Sequence, residues 1–171
     1  MAELLFVGTI HEGITPAAEL VEVVGSLKPD MVLVEVVQED IDSSETKNYP
    51  PEMQAVHAWA VNNELPVYGF DSSINIMRSE VDEEQMEADL ETVKQYFRKL
   101  GWKQANRNQR PPVDFFARYC DLSLFAKRQE EMARNIQRVA HGRAVVVTGA
   151  AHLGFFAEVF PSAHFPLREE L

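Results

Sequence analysis

The chain has 171 residues, 46% of them hydrophobic, and a formal charge of −11. That length suits one domain, 1–171, with a sizeable core, and the acidic balance speaks against a nucleic-acid or anionic-membrane partner. No apolar run reaches the ~18–20 residues of a membrane helix. The single cysteine, Cys120, cannot close an internal disulfide, and "MAELLFVGTIHEG" has no leader pattern, so the cytoplasm is the expected location. A homo-oligomer is compatible with this composition, which does not specify one.

In chain order, Leu4–Val7 reads as a first strand. Thr15 is expected to cap a helix with Pro16 in its first turn and an apolar stripe of Leu20, Val23, Val24 and Leu27. "MVLVEV", 31–36, is predicted as a strand buried on both faces. The polar loop "QEDIDSSETKNYPP" leads to a helix near 52–64 carrying Met53, Val56 and Ala60, and "LPVYGFD", 65–71, is a third strand. Asp82 with Gln85 resembles a capping box; Met86, Leu90, Val93, Phe97 and Leu100 then follow at helical spacing until Gly101. The loop "RNQRPPVDFF" precedes a helix capped by Asp121 and running to about His141. Ala144–Thr148 is the fourth strand, a helix covers 153–160, and "AHFPL" is expected as a final edge strand. This alternation predicts an α/β fold: a mainly parallel central sheet of four to five strands with helices packed on it.

In such a sheet, ligands bind in the crevice at the carboxyl ends of the strands. The first strand leads there to His11 and Glu12, the second carries Glu35, the third ends in Asp71, and the fourth leads to His152. Glu35 is the sharpest case. A carboxylate within "VLVEVV" costs several kcal/mol to bury unless it is paired or coordinated. Its partner is a histidine from an adjacent strand, a metal, or Arg128 in a purely structural ion pair. Both histidines stand three residues after a glycine, Gly8 or Gly149, and the expected reason is that glycine can adopt positive φ and let the turn fold over the sheet edge. His57, His141 and His164 read as loop or packing residues.

Four segments in order, "GTIH", "VLVEV", "KRQEEMARNI" and "VVVTGAAHLG", resemble the TraB/Tiki superfamily, which includes erythromycin-esterase-like and ChaN-like haem-binding proteins. The resemblance runs from Gly8 to Gly154. It implies a paired G-x-x-H site, His11 and His152, with a glutamate, Glu35, on the second strand. Among such proteins some look like metal-dependent proteases, some hydrolyse esters, and some mainly bind ligands. Arg128 would match the arginine of the helical motif, although Lys127 stands where an acid is usual. Asp71 would match the acid ending the third strand, with Ser72 in place of the usual arginine.

Two imidazoles and a glutamate suffice for a divalent metal (manganese, cobalt or zinc) with an open position for a water of lowered pKa. In that scheme His11, His152 and Glu35 are ligands, or Glu35 is the base; Asp71 orients a histidine, and Glu12, Arg78 or Arg128 meets the substrate. Without a metal, one histidine oriented by Glu35 would activate water as a general base. No G-x-S-x-G, P-loop or G-x-G-x-x-G occurs in the sequence. The expectation is a hydrolase, metal-assisted, acting on a peptide, amide or ester bond of a small-molecule or peptide substrate. The alternative is a non-catalytic module binding a small ligand or haem in the same crevice. "FFARY" and "GFFAEVF" would wall such a pocket; both also read as ordinary core.

Overall fold

Alternation along the strands divides the apolar residues between two cores. Leu5, Val7, Val32, Val34, Val145 and Val147 face one side of the sheet and bury against Leu20, Val24, Met53, Val56 and Ala60. Phe6, Met31, Leu33, Ala144 and Val146 face the other, against Met132, Ala133, Ile136, Leu153 and Phe156. Phe6 is fully buried and stacks on Phe156 and Phe165 at 5.0 and 5.3 Å. Truncating such a side chain costs about 3–5 kcal/mol.

The computed structural model describes residues 1–45, 49–107 and 109–169. Residues 46–48 of the first predicted loop and Asn108 of the second lie outside the described residues. The strands are β1 (Glu3–Thr9), β2 (Met31–Val34), β3 (Val67–Gly69) and β4 (Arg143–Gly149). They form a four-stranded sheet of order β1-β4-β2-β3 in which every pairing is parallel. The helices are α1 (Ala17–Ser26), α2 (Gln38–Asp42), α3 (Pro51–Asn62), α4 (Glu83–Leu100), α5 (Phe115–Tyr119), α6 (Leu122–Val139), α7 (Leu153–Val159) and α8 (Pro166–Glu169). Helices α1 and α3 cover one face of the sheet, α6 and α7 the other. The fold is thus the expected α/β class, with four strands. Among the described residues no helix is long and apolar enough to cross a membrane.

The caps at Asp82 and Asp121 form as predicted: Asp82 accepts from the Gln85 amide, and Asp121 from those of Ser123 and Leu124. Several other details differ from the sequence reading, including a helical placement of Cys120 that its neighbours in "FFARYCDLSLF" suggest. Thr15 caps nothing: Pro16 holds the N-cap of α1 without a side-chain hydrogen bond, and the Thr15 hydroxyl accepts from the Ile10 amide at 2.8 Å. Part of the first polar loop folds into α2, β3 is shorter than predicted, and Cys120 lies just past α5 in extended backbone. The segment "AHFPL" makes a single parallel bridge between His164 and Leu5 rather than a strand. Pro166 has no N–H to extend the ladder, and α8 starts there instead.

Helix α4 packs chiefly on the 3-10 turn Trp102–Asn106 and on α5. Its apolar residues Leu90, Val93 and Phe97 belong to neither core.

Candidate functional site

Each strand hands one ionisable residue to the same rim of the parallel sheet. Glu35 follows β2 directly, His11 and Asp71 stand two residues beyond β1 and β3, and His152 stands three beyond β4. Since β2 ends at Val34, Glu35 leaves the ladder, and its side chain is free to point along the rim.

Glu35 is the hub. Its residue is 8% exposed. Oε1 accepts from the Thr148 hydroxyl at 2.6 Å and the Gly149 amide at 2.9 Å. His11 Nε2 stands 3.6 Å from Oε2, and His152 Nε2 stands 3.6 Å from Oε1. Each ring therefore faces a different oxygen of one carboxylate. Behind the rings, His11 Nδ1 donates to Glu52 Oε1 and His152 Nδ1 to Gln129 Oε1, each at 3.0 Å. The two rings are matched in placement and unmatched in partner: one is backed by a carboxylate, the other by a neutral amide.

Those partners set opposite charge states. Burial would lower the pKa of His11, but hydrogen bonds and charge from Glu35 and Glu52 outweigh it and raise the value to about 10. His152 is lowered below the ordinary histidine value, mainly by burial; Glu35 opposes the shift and the Arg128 charge adds to it. Burial would raise the pKa of Glu35, yet the attraction of His152, the hydrogen bond and charge of His11 and the Thr148 hydroxyl hold it well below the usual carboxylate range. His152 attracts Glu35 only where it is protonated; with its pKa lowered and that of His11 raised, the standing cations beside Glu35 at pH 7 are the His11 imidazolium and the Arg128 guanidinium 3.9 Å away. One imidazolium and one neutral imidazole thus flank one carboxylate.

The glycines of the two G-x-x-H segments serve space rather than backbone freedom, contrary to the reading from sequence. Gly149 has φ −59, and the positive-φ glycines are Gly13, Gly101 and Gly142. A Cβ on Gly149 would stand 3.3 Å from His11 Nε2, 3.6 Å from Glu35 Oε1 and 3.7 Å from His152 Cδ2. At Gly8 it would meet Leu153 Cδ1 at 2.6 Å and Asn106 Oδ1 at 2.9 Å. Asn106 clamps Gly8 by accepting from its amide at 2.8 Å and donating to its carbonyl at 3.0 Å. The left-handed turn comes after His11, at Glu12 (φ 62) and Gly13 (φ 81).

Arg128 binds Asp71 through two hydrogen bonds, of 3.0 and 2.9 Å. Its Nη2 is 3.9 Å from Glu35 Oε2, so it is chiefly the partner of Asp71 and only a neighbour of the hub. Asp71 consequently orients Arg128 rather than a histidine, the rings being held at Nδ1 by Glu52 and Gln129. Glu12 turns to an ion pair with Lys94 of α4. Arg78, expected at the substrate, is instead spent on the fold: its guanidinium donates to the carbonyls of Cys120, Arg118 and Ala117. His11, Glu12, Glu35, Asp71, Arg128 and His152 all line one cavity of about 1150 Å³, and Arg78 does not. "FFARY" and "GFFAEVF" part company here: Phe115 and Phe116 wall the cavity, whereas Phe155, Phe156 and Phe160 pack in the core.

Glu52 and Gln129 escaped the sequence reading, as did Asn106. Each had a signal. Glu52 is a carboxylate beside Met53 in the first turn of α3, and it is only 1% exposed. Gln129 shares the apolar stripe of α6 with Met132, Ala133 and Ile136, where a polar side chain needs a buried partner.

The expected metal ligands His11, His152 and Glu35 are neighbours. Among the described residues no group of three or more His, Cys, Asp or Glu is placed to hold a metal ion. Glu35 Oε1 accepts from Thr148 and Gly149, both rings face the carboxylate at 3.6 Å, and Arg128 adds positive charge beside it. No family model matches the chain, and no curated protein matches it. Among solved structures it is similar to the type III effector HopBA1, at 15% identity and a TM-score of 0.43 over 86% of this chain. The chain spans 66% of that protein's length.

Proposed function

We propose that the chain is a TraB/Tiki-like hydrolase that opens a peptide, amide or ester bond by acid–base chemistry. The observation that carries the reading is the pair of imidazoles on opposite oxygens of Glu35, backed by Glu52 on one side and Gln129 on the other. With Nδ1–H given to Gln129, neutral His152 keeps its Nε2 lone pair at the rim beside Glu35 Oε1 and takes a proton from a water bound between them and the cavity. The hydroxide adds to the substrate carbonyl, and the His11 imidazolium stabilises the resulting oxyanion. When the C–O or C–N bond breaks, the proton on His152 passes to the leaving group. Glu35 holds both rings in register, and Arg128 with Asp71 keeps the rim's charge balanced. The size of the cavity, about 1150 Å³, supports a second reading, a non-catalytic module for a small ligand or haem.

The test is a panel of peptides, amides and esters with chelator-treated protein and with protein loaded with manganese, cobalt or zinc. The expected result is cleavage that survives the chelator and falls at least 100-fold in His152→Ala and Glu35→Gln. Cleavage only after loading replaces the acid–base mechanism with a metal-assisted one. No cleavage in any preparation overturns the hydrolase, and a Soret band on adding haem then favours the second reading.

A further inference from the structure

The cavity has a polar floor and an apolar roof. The floor is the rim of His11, Glu35 and His152. The roof consists of Leu90, Val93 and Phe97 on one face of α4 and of Phe115 and Phe116 on α5. An amphipathic helix ordinarily buries its stripe against a core, yet none of these five residues packs in either of the two cores flanking the sheet, and of them only Phe97 is buried. The apolar face of α4 is turned toward the cavity instead. Lys94, the cation of α4 at this wall, is neutralised by Glu12. The roof therefore offers apolar surface without uncompensated charge. Arg110 and Asp114, by contrast, line the cavity at exposed positions and mark its polar, open side.

We propose that this roof is an acyl subsite: the substrate is an ester or amide whose carbonyl carries a bulky, uncharged apolar group. The inference rests on the hydrolase reading and specifies its substrate. The carbonyl lies over the floor, its apolar substituent rises against α4 and α5, and the leaving alcohol or amine departs past Arg110 and Asp114 into water. A charged acyl group finds no free counter-ion at the roof. A short one leaves the roof uncovered and forgoes the gain of burying it.

The experiment compares p-nitrophenyl acetate, butyrate and octanoate with the full chain. In parallel, displacement of the uncharged fluorophore N-phenyl-1-naphthylamine by acetamide and by octanamide is followed. The expected kcat/KM rises about tenfold for every two methylenes, the scale set by transfer of buried CH₂ groups from water. Octanamide should displace the dye and acetamide should not. In Leu90→Asn/Val93→Asn the dependence on chain length should flatten; should that variant fail to fold, the wild-type series and the displacement still decide. Turnover that is flat or falling with chain length overturns the subsite while sparing the hydrolase. If all three esters are inert, the hydrolase reading is decided by the wider panel of peptides, amides and metal-loaded preparations, and the displacement alone decides the subsite. Displacement by octanamide alone then upholds the subsite, and equal or absent displacement overturns it.

Discussion

Gly149→Ala separates the chemistry of this site from its fold. The backbone at Gly149, φ −59 and ψ 136, suits any L-residue. Alanine there gains about 0.4–1 kcal/mol from a less flexible unfolded chain. Against this stands a methyl group 3.3 Å from His11 Nε2, with Glu35 Oε1 at 3.6 Å and His152 Cδ2 at 3.7 Å. Only the first contact is tight, and a shift of a few tenths of an ångström in the His11 ring relieves it. The net change in stability is thus within about 1 kcal/mol. Activity is another matter, because the methyl occupies the point where both rings and the carboxylate converge. Misplacement of reacting groups by ~1 Å costs about 100-fold in turnover, so a displacement of a few tenths of an ångström there costs roughly several-fold. Gly8→Ala is the contrast: its Cβ would meet Leu153 at 2.6 Å, Asn106 at 2.9 Å and the Ala150 backbone at 3.1 Å, an overpacking worth about 1–3 kcal/mol. Urea midpoints and p-nitrophenyl ester turnover for both variants check this. The reasoning fails if Gly149→Ala keeps full activity, or if it loses as much stability as Gly8→Ala.

Three further outcomes follow from the charges. The folded pKa of His11, about 10, lies above its ordinary 6.5, so its contribution to stability is complete below pH 6.5. That contribution declines as pH rises through the window and is gone above about 10; the difference in urea midpoint between wild type and His11→Gln should shrink over that range. In Glu52→Leu the ring loses its Nδ1 acceptor, and NMR titration should show the His11 pKa falling well below about 10; an unchanged titration would contradict the assigned role of Glu52. Arg128→Met strands Asp71 and should cost about 3–5 kcal/mol, most of it recovered in Arg128→Met/Asp71→Leu. A single variant as stable as wild type would show that this pair holds nothing in place.

The sheet was legible because β-branched runs such as "MVLVEV" and "RAVVVTG" have few alternatives to burial. Asp82 and Asp121 were legible because a cap acts on residues two or three positions away. Longer links were not. Glu52 lies 41 residues from His11 and Gln129 lies 23 from His152, and no local pattern ties a helix residue to a particular ring on another element. Thr15 looked like a cap by position, yet the loop bearing His11 needed its hydroxyl more than α1 did. The G-x-x-H glycines were found for the wrong physical reason, since φ freedom can be imagined from sequence and a crowded Cβ site cannot. The stripe of α4 announced a helix; it could not announce that a cavity, rather than a strand, lay beneath it.

The place of β4 in the sheet carries a consequence for synthesis. β1 and β2 are joined only through β4. A nascent polypeptide that has not yet reached Arg143 owns His11, Glu35 and Glu52 but has no ladder to bring them together, and it lacks His152 altogether. Whatever reaction the rim performs is therefore silent on the ribosome until β4 and His152 have been made, when one inserted strand unites β1 with β2.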